Sequence, residues 1–357
     1  MDYSLFQSHT VTLYNLKEKT YTIERVKARS LLSPLRFDLF AKLYYARHRY
    51  DDSTQAHRVY IEHIKAFNPD GREPGRDDKT SFEEFTNTFD SLLDYFKDND
   101  FDETKSIVPV SSDGIILDGA HRVAALAYYD KEVTIARFDE VVPVCQFNYL
   151  YFKKRGLSQE VSDIIANEVL LWIPDCFVAC LWPKMGDDKK KQLAVERIKG
   201  FSTVFFEKRL HCSLSSFGTF IAKVYQHQSW VGSEQNGFAG AMDKALNCYG
   251  PNKNIDFVFF LSDKTLDEIL ELKEEIRNLY LYGKHSLHIT DNDEEAKDIA
   301  YYILSKEGLS EWLYKQNAWG YISRLKDIMH DKVYVFKKVH WIRFKTFVYS
   351  CLVNKKK

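Results

Sequence analysis

Four residues suited to phosphate chemistry follow one another in the segment IILDGAHRVAALAYY, residues 115–129. Asp118, Gly119, His121 and Arg122 stand where an apolar, strand-like run gives way to an alanine-rich, helix-like run. Free N–H groups at a helix start attract phosphate, Arg122 can bind it in a bidentate manner, and His121 can donate to it or transfer a proton. Asp118 can hold a hydroxyl group, a magnesium ion or the histidine ring. The segment predicts a nucleotide-phosphate site; in the alternative, Asp118 caps the helix and His121 and Arg122 form surface ion pairs.

The elements around this turn are predicted from hydrophobic periodicity. Upstream, SFEEFTNTFDSLLDYF predicts a helix that Ser81 or Thr80 caps, with Glu83 and Glu84 in its first turn. A strand, a turn at residues 113–114 and a second strand lead into the quoted segment, and EVTIARF predicts a further strand after it. The carboxylates of the upstream helix are therefore candidates to meet the turn.

Residues 115–126, IILDGAHRVAAL, resemble the signature of the ParB/sulfiredoxin-like superfamily, in which a strand leads through D-G-x-H-R or G-x-x-R into a helix with small residues. The resemblance extends over residues 78–140. Sulfiredoxins need a cysteine where this chain has Ala120, and chromosome-partition members carry a second arginine and a helix-turn-helix that we do not find in this sequence. The closest branch is that of small-molecule kinases acting on free serine, whose motif reads D-G-H-H-R.

The resemblance implies a kinase that phosphorylates a hydroxyl of a small molecule or of a sugar or polyol precursor. Its donor would be ATP, ADP or CTP, with Mg²⁺ held by Asp118. Glu83 or Glu84 would take the proton from the acceptor, and His121 would steady the transferred group. The nucleotide phosphates would be bound by the turn residues Gly119, Ala120, His121 and Arg122.

A second group of candidates lies in two motifs further along the chain. Lys244 follows a glycine-rich stretch that lacks the spacing of a Walker loop, and GKHSLHITDNDEEA contains His285, His288 and Asp291. If the strand stays regular only to His288, His285 and Asp291 would face opposite sides, so a shared metal is not expected. The alternative is glycine turns with a solvated lysine. Residues 225–300 also resemble a C-terminal region of proteins from bacterial capsule and O-antigen gene clusters, which implies a setting in surface polysaccharide synthesis.

The length of 357 residues predicts two domains. The first, residues 1–205, is predicted to be an α+β domain of ParB/sulfiredoxin type with helical additions, starting with a hairpin or two strands in residues 1–30 and mostly helical over 144–200. The second, residues 206–357, is predicted to be a smaller α/β domain with a pair of strands in 217–232. Within it we predict helices in residues 237–250, 265–283 and 293–305 and a buried strand in residues 255–262. A basic run in residues 36–49 could contact a negatively charged acceptor, although a solvated helix face is the simpler interpretation; it contains Arg36, Lys42, Arg47 and Arg49.

The composition of the chain limits the kinds of binding partner and the location that we expect. Fifty basic residues against 51 acidic ones argue against an extended nucleic-acid surface. The scattered cysteines do not suggest a zinc site, and neither a signal peptide nor a membrane span is predicted, so a cytoplasmic protein is expected. The C-terminal residues 336–357 are basic and aromatic, which suits either peripheral contact with the inner membrane or a last packed element with a solvated tail.

Three functional hypotheses follow from the sequence. The first is the nucleotide-dependent kinase, with a nucleotide and a small-molecule or glycan-precursor acceptor as partners. The second is a nucleotide-binding regulatory module without turnover. The third is a glycan-modifying transferase whose chemistry lies in the second domain.

Overall fold

The computed structural model describes residues 3–73, 79–280 and 282–313. The chain divides into two compact units, one ending at Cys176 and one beginning at Phe177, whereas the sequence analysis placed the boundary near residue 205. The division falls earlier because residues 179–181 form a strand that pairs antiparallel with residues 287–289, and this pairing places residues 179–181 in the second unit.

The first unit combines a three-stranded sheet with seven α-helices in its described residues. The sheet order is β1-β3-β2, with β1 antiparallel and β2 parallel to β3. In chain order the elements are α1 (Ser8–Leu13), β1 (Thr22–Lys27), α2 (Phe37–His48), α3 (Ser53–Phe67), α4 (Phe82–Asp98), β2 (Val108–Ser111), α5 (Ala120–Tyr128), β3 (Glu132–Phe138), α6 (Tyr149–Lys154) and α7 (Gln159–Trp172).

Helix α4 confirms its prediction in detail. Ser81 is the N-cap, and its hydroxyl oxygen accepts a hydrogen bond from the backbone N–H of Glu84 at 3.3 Å. Phe85, Phe89 and Leu93 are buried one helical turn apart, so the apolar stripe faces the core. This fixes which side of α4 can approach the following motif.

The hairpin or pair of strands predicted in residues 1–30 does not form. Residues 8–13 form a helix, because the short alternation in TVTLYNL fits one helical turn and a half as well as a strand. Only β1 forms from the predicted pair, and it pairs with β3.

The predicted strand before the motif is reduced to a single bridge between Val110 and Ile116, so residues 115–117 approach α5 as a buried, irregular segment.

The second unit contains a four-stranded sheet of order β5-β6-β4-β7, in which β5 is antiparallel to β6 and β4 to β7. Its elements are β4 (Cys176–Leu181), α8 (Asp188–Phe201), β5 (Thr203–His211), α9 (Leu214–Val224), α10 (Ala239–Cys248), β6 (Asn254–Leu261), α11 (Leu266–Asn278), β7 (Leu287–Ile289), α12 (Asp293–Leu304) and α13 (Lys306–Trp312). The predicted helices at α10, α11 and α12 and the strand at β6 are confirmed. The pair of strands predicted in residues 217–232 is wrong, since α9 and a 3-10 turn occupy that segment, and the mostly helical interpretation of 144–200 missed β4.

Both units mix helices with a small sheet, which is compatible with the predicted α+β class. Within the described residues, none of the helices combines the length and the apolar composition needed to cross a bilayer. The basic segment 336–357 lies outside the described residues.

The start of α10 is fixed by a very close backbone approach. A Cβ placed on Gly240 would lie 1.7 Å from the carbonyl oxygen of Trp230, so this contact requires a glycine. The approach sets Trp230 beside the helix that carries Lys244, whose Nζ lies 6.0 Å from the centre of the Trp230 ring. Gly240 therefore serves the packing of α10.

Replacement of Gly240 by alanine is expected to destabilise the second unit by about 1–3 kcal/mol or more, because the helix must move away from the Trp230 carbonyl. Gly200→Ala is the matched control, since Gly200 lies in α8 with open space around it. That change should stabilise by about 0.4–1 kcal/mol. Denaturant unfolding of both variants checks this, and equal stability of the two would contradict the packing described.

Candidate functional site

The Asp118–Arg122 motif forms a tight turn at the start of α5. Gly119 has φ of +85°, and a Cβ on it would lie 2.9 Å from Nη2 of Arg122, so the turn needs glycine. Gly119 itself is the N-cap and no side chain caps the helix, which makes the capping interpretation of Asp118 wrong. The Asp118 carboxylate pairs with the Arg122 guanidinium at 3.3 Å, and both side chains are less than one-fifth exposed. Arg122 therefore lies against the turn, with Ala120 beside it as the first helical residue.

His121 is held by neighbours from two other helices. Its Nε2 lies 2.9 Å from the hydroxyl of Tyr60, which also donates to the carbonyl oxygen of Phe85 at 3.1 Å. Because Tyr60 has only one hydroxyl proton, His121 donates from Nε2 and, when neutral, keeps its lone pair on Nδ1. The rings of Phe89 and Phe85 pack against the imidazole, with centroids at 5.1 and 6.5 Å. The motif and the upstream helix α4 are thus neighbours, as expected.

The two candidate carboxylates differ in what they contact. Glu84 accepts hydrogen bonds from both the hydroxyl and the N–H of Thr80, at 2.8 and 2.6 Å, and these bonds lower the pKa of its carboxyl. Glu84 therefore stabilises the start of α4 and is the weaker base. Glu83 is exposed in the first turn of the same helix. The assignment of a catalytic base to either residue stays a prediction.

A chain of buried charged groups supports the motif from α2 and α3. Arg36 forms two 2.9 Å hydrogen bonds to Asp38 and donates from Nη1 to the carbonyl oxygen of Ile116 at 2.6 Å, just before the motif. Lys42 pairs with the same Asp38 at 3.0 Å and donates to Nε2 of His63 at 3.3 Å. All four charged or titratable side chains are at most 4% exposed. Buried charges of this kind are tolerated only when paired, so this cluster is a structural support for the turn.

The interpretation of residues 36–49 as a solvated basic face is therefore wrong. Arg36 and Lys42 point into the core, where Asp38 compensates both. The other two arginines bind carboxylates of neighbouring helices, in the pairs Arg47–Glu168, Arg49–Asp90 and Arg49–Asp94. The sequence could not distinguish these cases because the acidic partners lie far away along the chain.

The four candidates of the second unit line one cavity of about 930 Å³: Lys244, His285, His288 and Asp291. The prediction that His285 and Asp291 face opposite sides is wrong, because β7 has only three residues, with His285 in a turn before it and Asp291 in the loop after it. Ligand cavities commonly have volumes of about 300–1,000 Å³, so the space suits a small molecule.

Cationic side chains enter this cavity from three elements. Lys244 comes from α10, Arg277 from the end of α11, and Lys284 from the turn before β7. Burial lowers the pKa of Lys244, and the positive charges of Arg277 and Lys284 lower it further. Arg277 pairs with Glu274 at 2.5 Å. Within the described residues, neither Lys244 nor Lys284 has a carboxylate oxygen within 4.0 Å.

Carboxylates enter the same cavity mainly from the start of α12. Glu294, Glu295 and Asp298 line it, together with Asp291 just before the helix. Asp291 is compensated by the buried ammonium of Lys273 at 2.6 Å. We call the lining from α10, α11 and the turn before β7 the cationic region, although Asp243 of α10 also lies in it, and the lining from α12 the acidic region.

His288 and Glu295 form a buried dyad in the acidic region. His288 is 5% exposed, and its Nε2 lies 2.9 Å from Oε1 of Glu295, whose other oxygen accepts from the N–H of Asp291 at 2.7 Å. Burial lowers the pKa of His288 despite the hydrogen bond to Glu295. Burial alone would raise the pKa of Glu295, but its hydrogen bonds to His288 and to the Asp291 N–H, together with the charges of His288 and Lys273, leave that pKa lowered. A neutral imidazole that donates from Nε2 to a carboxylate keeps its lone pair on Nδ1, which is the arrangement of a general base.

His285, another histidine of the cavity, contacts a thiol. Nδ1 of His285 lies 3.7 Å from Sγ of Cys248. Burial raises the pKa of Cys248 to about 11, so the thiol is protonated at neutral pH and is a poor nucleophile. Burial and the nearby lysines 244 and 284 lower the pKa of His285, which favours the neutral ring. The positive charge of the cavity therefore rests on its lysines and on Arg277.

Sequence reasoning missed three important residues of the cavity. Lys284 stands directly before His285 and could have been included with that motif. Glu295 falls four residues after Asp291, at the position where a carboxylate reaches back to a helix start, so a capping pattern could have identified it. Arg277 has no local signal, because its place in the cavity depends on where α11 ends against β7.

No family model, no curated protein and no solved structure matches the chain. Within residues 3–73, 79–280 and 282–313, no three histidine, cysteine or carboxylate side chains come together in a way that could hold a metal ion.

The neutral state of His63 makes the first unit sensitive to acid. Burial and the nearby Lys42 lower the pKa of His63 well below the ordinary value of 6.5, so the stability contributed by the neutral ring is fully present above pH 6.5 and is lost as the pH falls below it. The melting temperature should therefore fall between pH 7 and pH 5. His63→Gln keeps an acceptor for Lys42 without a titrating ring and should show a smaller fall. Parallel pH profiles of both proteins would contradict this assignment.

Proposed function

We propose that the second unit carries the activity of the chain, as a transferase acting on a phosphate-bearing small molecule bound in the 930 Å³ cavity. The observation that carries the proposal is the group of three cations, Lys244, Arg277 and Lys284, that enter one cavity from separate elements. Like charges repel, so such a group is favoured when an anionic ligand compensates it. Guanidinium and ammonium groups are the usual partners of phosphate.

The acidic region suggests what else the substrate carries. Carboxylates of Asp291, Glu294 and Asp298 are exposed and would repel a second phosphate, but they accept hydrogen bonds from hydroxyl groups. A substrate with a phosphate at one end and hydroxyl groups at the other matches both regions. The glycan precursors implied by the resemblance to capsule and O-antigen proteins have this chemistry.

In this proposal, the His288–Glu295 dyad supplies the proton transfer. Glu295 orients the ring through the 2.9 Å hydrogen bond to Nε2, and Nδ1 takes the proton from the hydroxyl that accepts the transferred group. The cations Arg277 and Lys284 hold the phosphate and stabilise the charge that develops in the transition state.

Removal of a cation should weaken phosphate binding. We expect Lys284→Ala to lower the affinity for a sugar phosphate about tenfold or more, the effect of losing one charge-assisted hydrogen bond. Lys284 is exposed and its loss should not affect folding. Lys297→Ala is the matched control, because Lys297 is an exposed residue of α12 that does not line the cavity. Titration calorimetry measures both; equal affinities, or no binding to the unaltered protein, would contradict the proposal.

A second candidate is the nucleotide-dependent kinase of ParB/sulfiredoxin type in the first unit, with its acceptor hydroxyl on a small molecule. It is favoured by the fixed position of His121 between Tyr60 and α4 and by the strained glycine turn beside Arg122. Asp118 offers one half-buried carboxylate, and Mg²⁺ commonly binds through one or two carboxylates together with substrate phosphates. ATP, ADP or CTP would place its phosphates on the turn from Gly119 to Arg122.

Two matched substitutions distinguish the candidates in a turnover screen with nucleotides, sugar phosphates and nucleotide sugars. His288→Gln keeps a donor for Glu295 but has no basic ring nitrogen, and it should lower turnover by about 10²–10⁴-fold. Asp118→Asn should leave the activity unchanged under the main proposal. The opposite result favours the kinase, and nucleotide binding without turnover in any protein favours the regulatory module.

A further inference from the structure

Lys244 differs from the other charged residues of the cavity in the partners it has. Its Nζ lies 5.1 Å from the ring centre of Tyr225 and 6.0 Å from that of Trp230. By contrast, Lys273 pairs with Asp291 at 2.6 Å and Arg277 with Glu274 at 2.5 Å. The side chain of Lys244 thus reaches the cavity between two aromatic rings without a carboxylate partner among the described residues.

This environment disfavours the charged form of the amine. Burial lowers the pKa of Lys244, and the charges of Arg277 and Lys284 add to the effect, while the aromatic faces of Tyr225 and Trp230 act in the opposite direction. The Cys248 thiol opposes it little, because its own pKa of about 11 leaves it uncharged at neutral pH. A lysine that is desolvated and placed next to other cations becomes an amine nucleophile, since each unit of lowered pKa raises the neutral fraction about tenfold.

We propose that Lys244 forms an imine with an aldehyde or ketone group of the phosphate-bearing substrate. The inference rests on the proposed function, because Arg277 and Lys284 must hold the phosphate for the carbonyl group to reach Nζ. The nitrogen lone pair attacks the carbonyl carbon and a C–N bond forms. The carbonyl oxygen leaves as water with the two hydrogens of the amine, so no oxidant or reductant is needed. Once its nitrogen takes up a proton, the imine is a better electron acceptor than the carbonyl and activates the adjacent carbon.

The geometry also assigns the proton transfers of this step. The attack on the carbonyl requires a proton to leave nitrogen and a proton to reach oxygen. His288, which lines the same cavity with Glu295 bound to its Nε2, is the group that can carry these protons in either direction. Tyr225 contacts both residues, with its ring centre 5.2 Å from that of His288. The nucleophile and the proton carrier therefore contact the same aromatic ring and line the same cavity.

Pyridoxal 5′-phosphate is the probe, because it carries an aldehyde and a phosphate on one small ring. The full chain is treated with less than one equivalent at neutral pH, reduced with borohydride, and mapped by peptide mass spectrometry. We expect the adduct on Lys244 to exceed that on exposed lysines such as Lys297 by about tenfold or more. Excess inorganic phosphate should reduce labelling of Lys244 and leave the surface lysines unchanged.

The controls separate this inference from the proposed function. Lys244→Arg keeps the charge but cannot form an imine, so the main adduct should disappear, whereas Lys297→Arg should not change it. An adduct spread evenly over the surface lysines of the unaltered protein overturns the inference, and this result needs no variant to fold. If phosphate still binds in the calorimetric titration, only the role of Lys244 fails; if phosphate does not bind, both proposals fail.

Discussion

The repulsion between Lys244, Arg277 and Lys284 is the constraint on which our account of the second unit depends. Each comes from a different element, so the fold has to hold them together against their mutual charge. The backbone contact at Gly240 fixes the helix of Lys244, and the short strand β7 places Lys284 near the end of α11. Local arrangements that oppose stability in this way are typical of functional sites.

In the first unit, by contrast, the buried charged side chains are paired with one another. Arg36, Asp38 and Lys42 are fully buried, but both cations pair with Asp38, and the remaining donor of Arg36 reaches a backbone carbonyl. These pairs hold both cations within the core and fix the position of the following turn. This contrast is why the cavity of the second unit, and not the glycine turn of the first, supports our main proposal.

Much of the fold could be predicted where local signals agree. Helices α4 and α11 each combine an apolar stripe with a capping residue, Ser81 in α4 and Thr265 in α11. Both helices were predicted from the sequence. Residues 217–224 were misread because β-branched and aromatic residues also suit strands, although Phe217, Phe220 and Ile221 follow a helical spacing. The motif residues Lys244, His285, His288 and Asp291 were recognised by type, but their common cavity was not, because it depends on packing between elements distant in sequence.

A crystal structure of the protein grown or soaked with a sugar phosphate tests the central claim most directly. Our account predicts the phosphate between Arg277 and Lys284, with the hydroxyl groups directed towards the carboxylates of α12. A phosphate bound at the turn of Gly119 and Arg122, with the cavity of the second unit free of ligand at saturating concentration, would contradict it.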